Sequence, residues 1–157
     1  MIEPSTLSRP AGPRSRLGSL GGPFLALVVL EFLLGMALNL FGSLPTGSPW
    51  AVLTSSPLLD VHLVVGFLLL GIAANAVRTS VLARLRVALT VTSLGFLFGL
   101  AAFLAGLSFA FGDPSSGASY AMSVGFAGLV VEAGYLLQLR TSRAADPASA
   151  GGRPSET

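Results

Sequence analysis

Apolar residues in this chain come in long blocks rather than in the rhythm of an amphipathic helix or strand. Four blocks stand out: Gly22 to Gly42, Leu58 to Val77, Val87 to Ala110 and Ala118 to Leu139. Each is near the roughly 20 residues that a helix needs to cross a hydrocarbon core of about 30 Å. Each is apolar on most of its faces, which fits a membrane span better than the surface helix of a soluble domain. Backbone polar groups in lipid must be satisfied within their own segment, so the pattern predicts helices. The expected fold is all-α: a polytopic membrane protein with four transmembrane helices in a bundle over residues 22–139.

The segments between the blocks read as loops. "GSLPTGSPWAVLTSSP" is rich in Pro, Ser and Gly, "RTSVLARLR" is a short basic connection, and "FGDPSSG" reads as a tight turn around Asp113-Pro114. The head (1–21) and the tail (140–157) lack apolar periodicity, and disorder is expected for both. "LEFLLGMALNL" at 30 resembles "LGFLFGLAAFL" at 94, and "VGF" at 65 recurs at 124. This faint repeat would pair the first two helices with the last two in parallel orientation.

Charge sets an orientation. Arg9, Arg14 and Arg16 precede the first block; Arg78, Arg84 and Arg86 lie between the second and third; Arg140, Arg143 and Arg153 follow the fourth. Cytoplasmic loops collect arginine, so both termini and the middle loop are expected in the cytoplasm. Trp50 and Tyr120 then fall near the outer interface, where aromatic belts sit. A basic lead precedes the first block, but that block is longer than the roughly 7–15 residues of a signal-peptide core, and a retained span is expected.

Composition narrows the chemistry. The chain has 157 residues, 52% hydrophobic and only 10% charged, and it lacks cysteine. Soluble domains carry about 25% charged residues, so membrane class comes first. Absent cysteine excludes a disulfide framework, a thiolate metal site and an iron–sulfur cluster. The net charge of +2 does not mark a nucleic-acid binder, because the arginines form no single basic face. No Walker loop, dinucleotide fingerprint, HExxH or GxSxG motif occurs, and one histidine without cysteine builds no conventional transition-metal site. A binding or accessory protein is therefore expected rather than an enzyme.

The informative residues are the polar intrusions. Helical rise places Glu31 roughly 14 Å, and Glu132 roughly 10 Å, above the inner edge of their spans. His62 and Met122 each lie roughly 6 Å below the outer edge, and Asn39 lies near the top of the first helix. Glu31, Gly35 and Asn39 share one helical stripe, and His62 and Gly66 share another. Gly95 and Gly99 form a GxxxG, read as helix packing together with Gly35 and Gly66. Polar and small residues on common stripes point toward the bundle interior. Glu31 reads either as a proton carrier or cation ligand, or as a neutral strut hydrogen-bonded to a neighbour such as Thr92 or Ser93. Glu132 and His62 carry the same pair of readings, functional or structural, with His62 near the outer headgroups in the second case.

Two resemblances bear on these residues. "LEFLLGMALNLF" followed by "LLDVHLVVGFLLLGIAANA" resembles the first helix pair of small, uncharacterised bacterial four-helix membrane proteins. It is distantly similar to the bundles of haem A synthase and cytochrome b561. That likeness implies an axial histidine at His62, in the pair His62-Gly66, although the further histidines of those bundles are missing. Haem is the cofactor that this likeness implies, and the matching depths of His62 and Met122 would permit that pair as its ligands. The chain also resembles the small multidrug resistance transporters, which are proton-coupled and carry an essential glutamate in helix one, matched here by Glu31. Its Pro-rich outer loop and long tails depart from that pattern. The expected role is a small binding or accessory bundle in the bacterial cytoplasmic membrane. Glu31, Asn39, His62 and Glu132 would engage a proton, haem, a quinone or a partner helix. Partners implied are the lipid bilayer and a second copy or a membrane complex, not nucleic acid.

Overall fold

The computed structural model describes residues 12–41, 56–111 and 116–144. Those residues form four helices: α1 (Pro13–Phe41), α2 (Pro57–Leu82), α3 (Arg86–Phe111) and α4 (Ser116–Ala144). All four are long and apolar enough to cross a membrane. The shortest have 26 residues, which spans about 39 Å and exceeds a hydrocarbon core of about 30 Å. The expected turn around Asp113-Pro114, Trp50 and most of the first loop lie outside the described residues.

Each helix runs beyond the apolar block that predicted it. α1 begins at Pro13, so residues 13–21 of the head expected to be disordered are helical. The start is well made. Gly12 accepts from the N–H groups of Ser15 and Arg16 at 2.9 and 3.1 Å, and Pro13 occupies the first helical position, where no N–H is needed. Leu17, Gly18 and Gly21 of this extension are buried, so tertiary packing holds it in place despite its Gly- and Ser-rich composition. α4 likewise continues past Leu139 to Ala144.

The turn between α2 and α3 is compact. Leu85 donates its N–H to Ser80 and Arg84 donates to Val81, both at 3.0 Å. Arg84 takes a left-handed conformation with φ 53°. These bonds form a Schellman ending, which satisfies the last carbonyls of α2 and reverses the chain at once.

Helix packing runs around a ring, α1 to α2 to α3 to α4 and back to α1. Side-chain neighbours give the directions. Gly18 faces Arg140 while Gly21 faces Leu137, and Gly95 faces Glu132 while Gly99 faces Leu129. Neighbouring helices are therefore antiparallel. The buried core includes Leu17, Phe24 and Val28 of α1, Ala73 and Ala76 of α2, Ala88 of α3, and Ala133 and Leu136 of α4. It is concentrated at the end that carries the chain termini and the α2–α3 turn. Outward faces are apolar instead of wet: Leu33, Val64, Phe67, Leu97, Leu104 and Val131 are all more than half exposed.

Glycine closes this end. A Cβ on Gly21 would lie 2.7 Å from the Leu137 nitrogen and 2.8 Å from the Leu136 carbonyl carbon, both backbone atoms that cannot swing aside. Gly134 on the same helix as Leu137 has open space around it. Gly21→Ala should therefore lower stability by about 1–3 kcal/mol through overpacking. Gly134→Ala should be neutral or gain up to about 1 kcal/mol of helix propensity. Denaturant or thermal unfolding of the detergent-solubilised protein measures both; equal losses at the two sites would rule out the close α1–α4 approach.

Candidate functional site

The opposite half of the ring does not close. There the C-terminal half of α1, the N-terminal half of α2, the C-terminal half of α3 and the N-terminal half of α4 surround a cavity of about 420 Å³. Small-molecule sites are commonly about 300–1,000 Å³. Most of the wall is apolar, supplied by Leu59, Phe103, Phe126, Leu129 and their neighbours. Two aromatic pairs brace it. Phe32 of α1 meets Phe126 of α4 with ring centroids 5.0 Å apart, and Phe67 of α2 meets Phe103 of α3 at 4.7 Å.

One polar pair interrupts this wall. The Glu31 Oε1 of α1 stands 3.2 Å from the His62 Nδ1 of α2, and both side chains are at least three-quarters buried. Each rests on a glycine of the facing helix. A Cβ at Gly66 would stand 3.2 Å from Glu31 Oε1, and one at Gly35 would stand 3.5 Å from His62 Cε1. The two stripes visible in the sequence thus interlock, with carboxylate over glycine and imidazole over glycine. Glu31 Oε2 and His62 Nδ1 are both buried without a hydrogen-bond partner among the described residues, the 3.2 Å approach being a close contact and not a hydrogen bond. Leaving such an atom unpaired costs about 1–3 kcal/mol, more when charged, so the pair is a place where a polar ligand group gains by docking.

This pairing differs from the depth expected for the two residues. Counting from Gly22 puts Glu31 in the inner half and away from His62. Because α1 starts at Pro13, Glu31 lies past the middle of its helix, on the cavity side. Thr92, one of the two suggested partners for Glu31, is otherwise engaged. Thr92 donates to the Ala88 carbonyl at 2.8 Å and reaches Ser80 Oγ at 3.4 Å. Thr92 and Ser93 belong to α3, across the ring from α1.

Glu132 is not a companion of Glu31. Its side chain is fully buried and packs against Gly95 of α3, where any Cβ would overlap the carboxylate. The α1–α4 register, Gly21 beside Leu137 and Phe32 beside Phe126, puts Glu132 about 7 Å below Glu31 along the axis. Asn39 and Met122 line the cavity, and Asn39 is exposed. Gly99 lines it as well and faces Leu129. Met122 lies across the cavity from the α1–α2 wall, with its sulfur near Gly106 of α3. No cluster of three or more His, Asp or Glu side chains suited to a metal ion occurs among the described residues. The aromatic braces and the Leu129 floor were not singled out in the sequence, since Phe and Leu recur on every face of these helices.

A scan against protein-family models and searches of curated proteins and solved structures return no match to the chain.

Contact predicts coupling. The stability losses of Glu31→Gln and His62→Gln should be non-additive by about 0.5–3 kcal/mol, as for residues in one polar pair. Glu31→Gln and Glu132→Gln should add within about 0.5 kcal/mol. Double-mutant cycles in detergent read both terms; additivity in the first pair would dissolve the proposed unit.

Proposed function

We propose that the protein is a multi-pass membrane protein of the bacterial cytoplasmic membrane, whose cavity binds a small amphiphilic ligand. Glu31 and His62 anchor its polar head. The arginine pattern supports an orientation with both termini and the α2–α3 turn in the cytoplasm, in which the cavity faces the outer leaflet. The observation that carries this reading is the Glu31–His62 pair, 3.2 Å apart, set in the wall of a mostly apolar cavity.

The chemistry of the pair defines the ligand class. Imidazole offers one donor and one acceptor, and a carboxyl accepts when ionised and donates when protonated. Together they hold a head that both accepts and gives hydrogen bonds, and the aromatic walls hold a flat or aliphatic body. A quinone-like molecule meets that description: carbonyl oxygens on a flat ring with an apolar tail. The α1–α2 wall orients the head, and Phe103 and Phe126 exclude water from the body.

A second reading, haem held by His62 and Met122, draws on both residues lining one cavity. It also draws on Glu31 Oε1 lying 3.2 Å from Nδ1, the side of the ring from which a carboxylate would orient a metal-binding imidazole once hydrogen-bonded to it.

Titration of the purified protein with a decyl-substituted benzoquinone tests the first reading. Saturable binding is expected, weakened about tenfold or more in His62→Ala and in Glu31→Gln, the equivalent of losing about 1.4 kcal/mol of hydrogen bonding. Binding that ignores both substitutions would contradict it. The absorbance spectrum of the same preparation separates the readings: a Soret band lost in His62→Ala supports haem, and a featureless spectrum after haem-supplemented expression removes it.

A further inference from the structure

At the closed end of the ring, the groove between the start of α1 and the end of α4 has no assigned role. Ser15, Ser19 and Pro23 of α1 and Leu139 and Arg140 of α4 line a cavity of about 390 Å³ there. Spaced by four, the three α1 residues form one helical stripe. Arg140 gives the groove its charge. Its backbone lies against Gly18, whereas its guanidinium lies beside Gly22, where a Cβ would stand 3.4 Å from Nη1. Gly22 is one turn farther from the chain termini than Gly18. The guanidinium is thus turned back toward the body of the bundle, the direction in which the Cα–Cβ bonds of α4 already point. An arginine near the end of a lipid-facing helix ordinarily extends the other way, toward water. No hydrogen bond or ion pair engages the Arg140 side chain among the described residues.

Acceptors stand in the same groove. Pro23 lies inside α1 and has no N–H, so the carbonyl of Ser19, one turn earlier, lacks its usual intrahelical donor. The Ser19 hydroxyl gives its proton to the Arg16 carbonyl at 2.7 Å, which leaves its oxygen able to accept. The groove therefore offers a cation and, beside it, two accepting oxygens. Charge around it has one sign. Arg14, Arg16, Arg78, Arg84 and Arg86 are exposed at this end. The acidic side chains of the described residues are elsewhere: Glu31 in the cavity wall, Asp60 in the first turn of α2, and Glu132 fully buried.

We propose that this groove binds the headgroup of an anionic phospholipid of the phosphatidylglycerol type. The Arg140 guanidinium donates to the phosphodiester oxygens, as a planar fork suited to that group. The glycerol hydroxyls donate to the Ser19 carbonyl and hydroxyl oxygens, and Pro23 and Leu139 meet the start of the acyl chains. The depth is right. α1 has 29 residues and is about 43 Å long, which leaves roughly 6 Å at each end beyond a hydrocarbon core of about 30 Å, where headgroups lie. Ser15 and Ser19, roughly 3 and 9 Å from the start of the helix, straddle that level. Orientation in a membrane needs only arginine on one side; it does not need a guanidinium turned inward beside a carbonyl that a proline has freed. A lipid held here ties the start of α1 to the end of α4. The inference rests on the reading of the chain as a membrane protein and not on the ligand of the opposite cavity.

Native mass spectrometry of the protein, released from micelles equilibrated with equal amounts of phosphatidylglycerol, phosphatidylethanolamine and phosphatidylcholine, tests it. A phosphatidylglycerol adduct should dominate. Arg140→Gln should weaken it about tenfold or more. Ser19→Leu, which fills the groove at an exposed position and removes no charge, should do the same. Arg78→Gln, with the same loss of charge as Arg140→Gln but on α2, should keep the adduct. Circular dichroism and gel filtration confirm that each variant is folded. Equal retention of the three lipids would overturn the proposal. So would equal losses in Arg140→Gln and Arg78→Gln, which would mark general surface charge, or displacement of the lipid by inorganic phosphate, which would mark an ion site. A chain that stays dispersed without detergent would instead fail the membrane reading itself. Benzoquinone titration of Arg140→Gln, expected to be unchanged, keeps this site distinct from the cavity.

Discussion

Helices without an aqueous face must set against another helix those polar side chains that do not bond to their own backbone as Ser80 and Thr92 do, and this constraint organises the cavity end of the molecule. Glu31 and His62 meet it by reciprocal docking: each lies over a glycine of the other's helix, Gly66 and Gly35. The missing side chains bring the α1 and α2 surfaces close enough for the 3.2 Å approach. A larger residue at either glycine would force carboxyl and imidazole outward, toward surroundings that do not solvate them. The pair therefore fixes the register of α1 on α2, and that register places the cavity.

The same device has a different outcome at the other end of the ring. Gly18 and Gly21 of α1 let the backbone of α4 approach almost to contact, and Ala73, Ala76, Ala88 and Ala133 fill the centre with little volume. Small residues there close the ring, whereas Phe32, Phe67, Phe103 and Phe126 prop the opposite end open. The result is a vessel: a tight floor beneath a walled cavity, with a polar pair in the wall. In a membrane, interhelical packing rather than hydrophobic burial alone would have to hold such an object together, because its outer faces would already meet an apolar solvent.

Much of this was legible in the sequence, and what was not has identifiable causes. The four helices follow from apolar blocks too long for a soluble core, and the Glu31 and His62 stripes follow from helical spacing. The ends of the helices do not follow, because hydropathy marks where residues become polar and not where backbone hydrogen bonding stops. Residues 13–21 look like a flexible head, yet Leu17 and Gly21 are buried. That error carried into depth: measured from Gly22, Glu31 and His62 belong to opposite halves. Register between helices is a tertiary property, set here by glycine contacts that span dozens of residues of sequence. Glu132 reads as lying two turns from an interface, but the extension of α4 to Ala144 and the gap at Gly95 put it inside the core.

The central claim is a ring closed at the end bearing the termini and open at the other, with the open end proposed to face the cell exterior. The absence of cysteine from the chain makes this directly measurable by labelling single-cysteine variants in intact cells with a membrane-impermeant maleimide. Leu63→Cys and Met122→Cys in the cavity wall should react from outside, and decyl-benzoquinone should slow them. Ala73→Cys and Leu136→Cys, in the closed half, should stay unlabelled until the protein is denatured. Equal labelling of the two sets, or labelling of the closed half alone, would contradict the account.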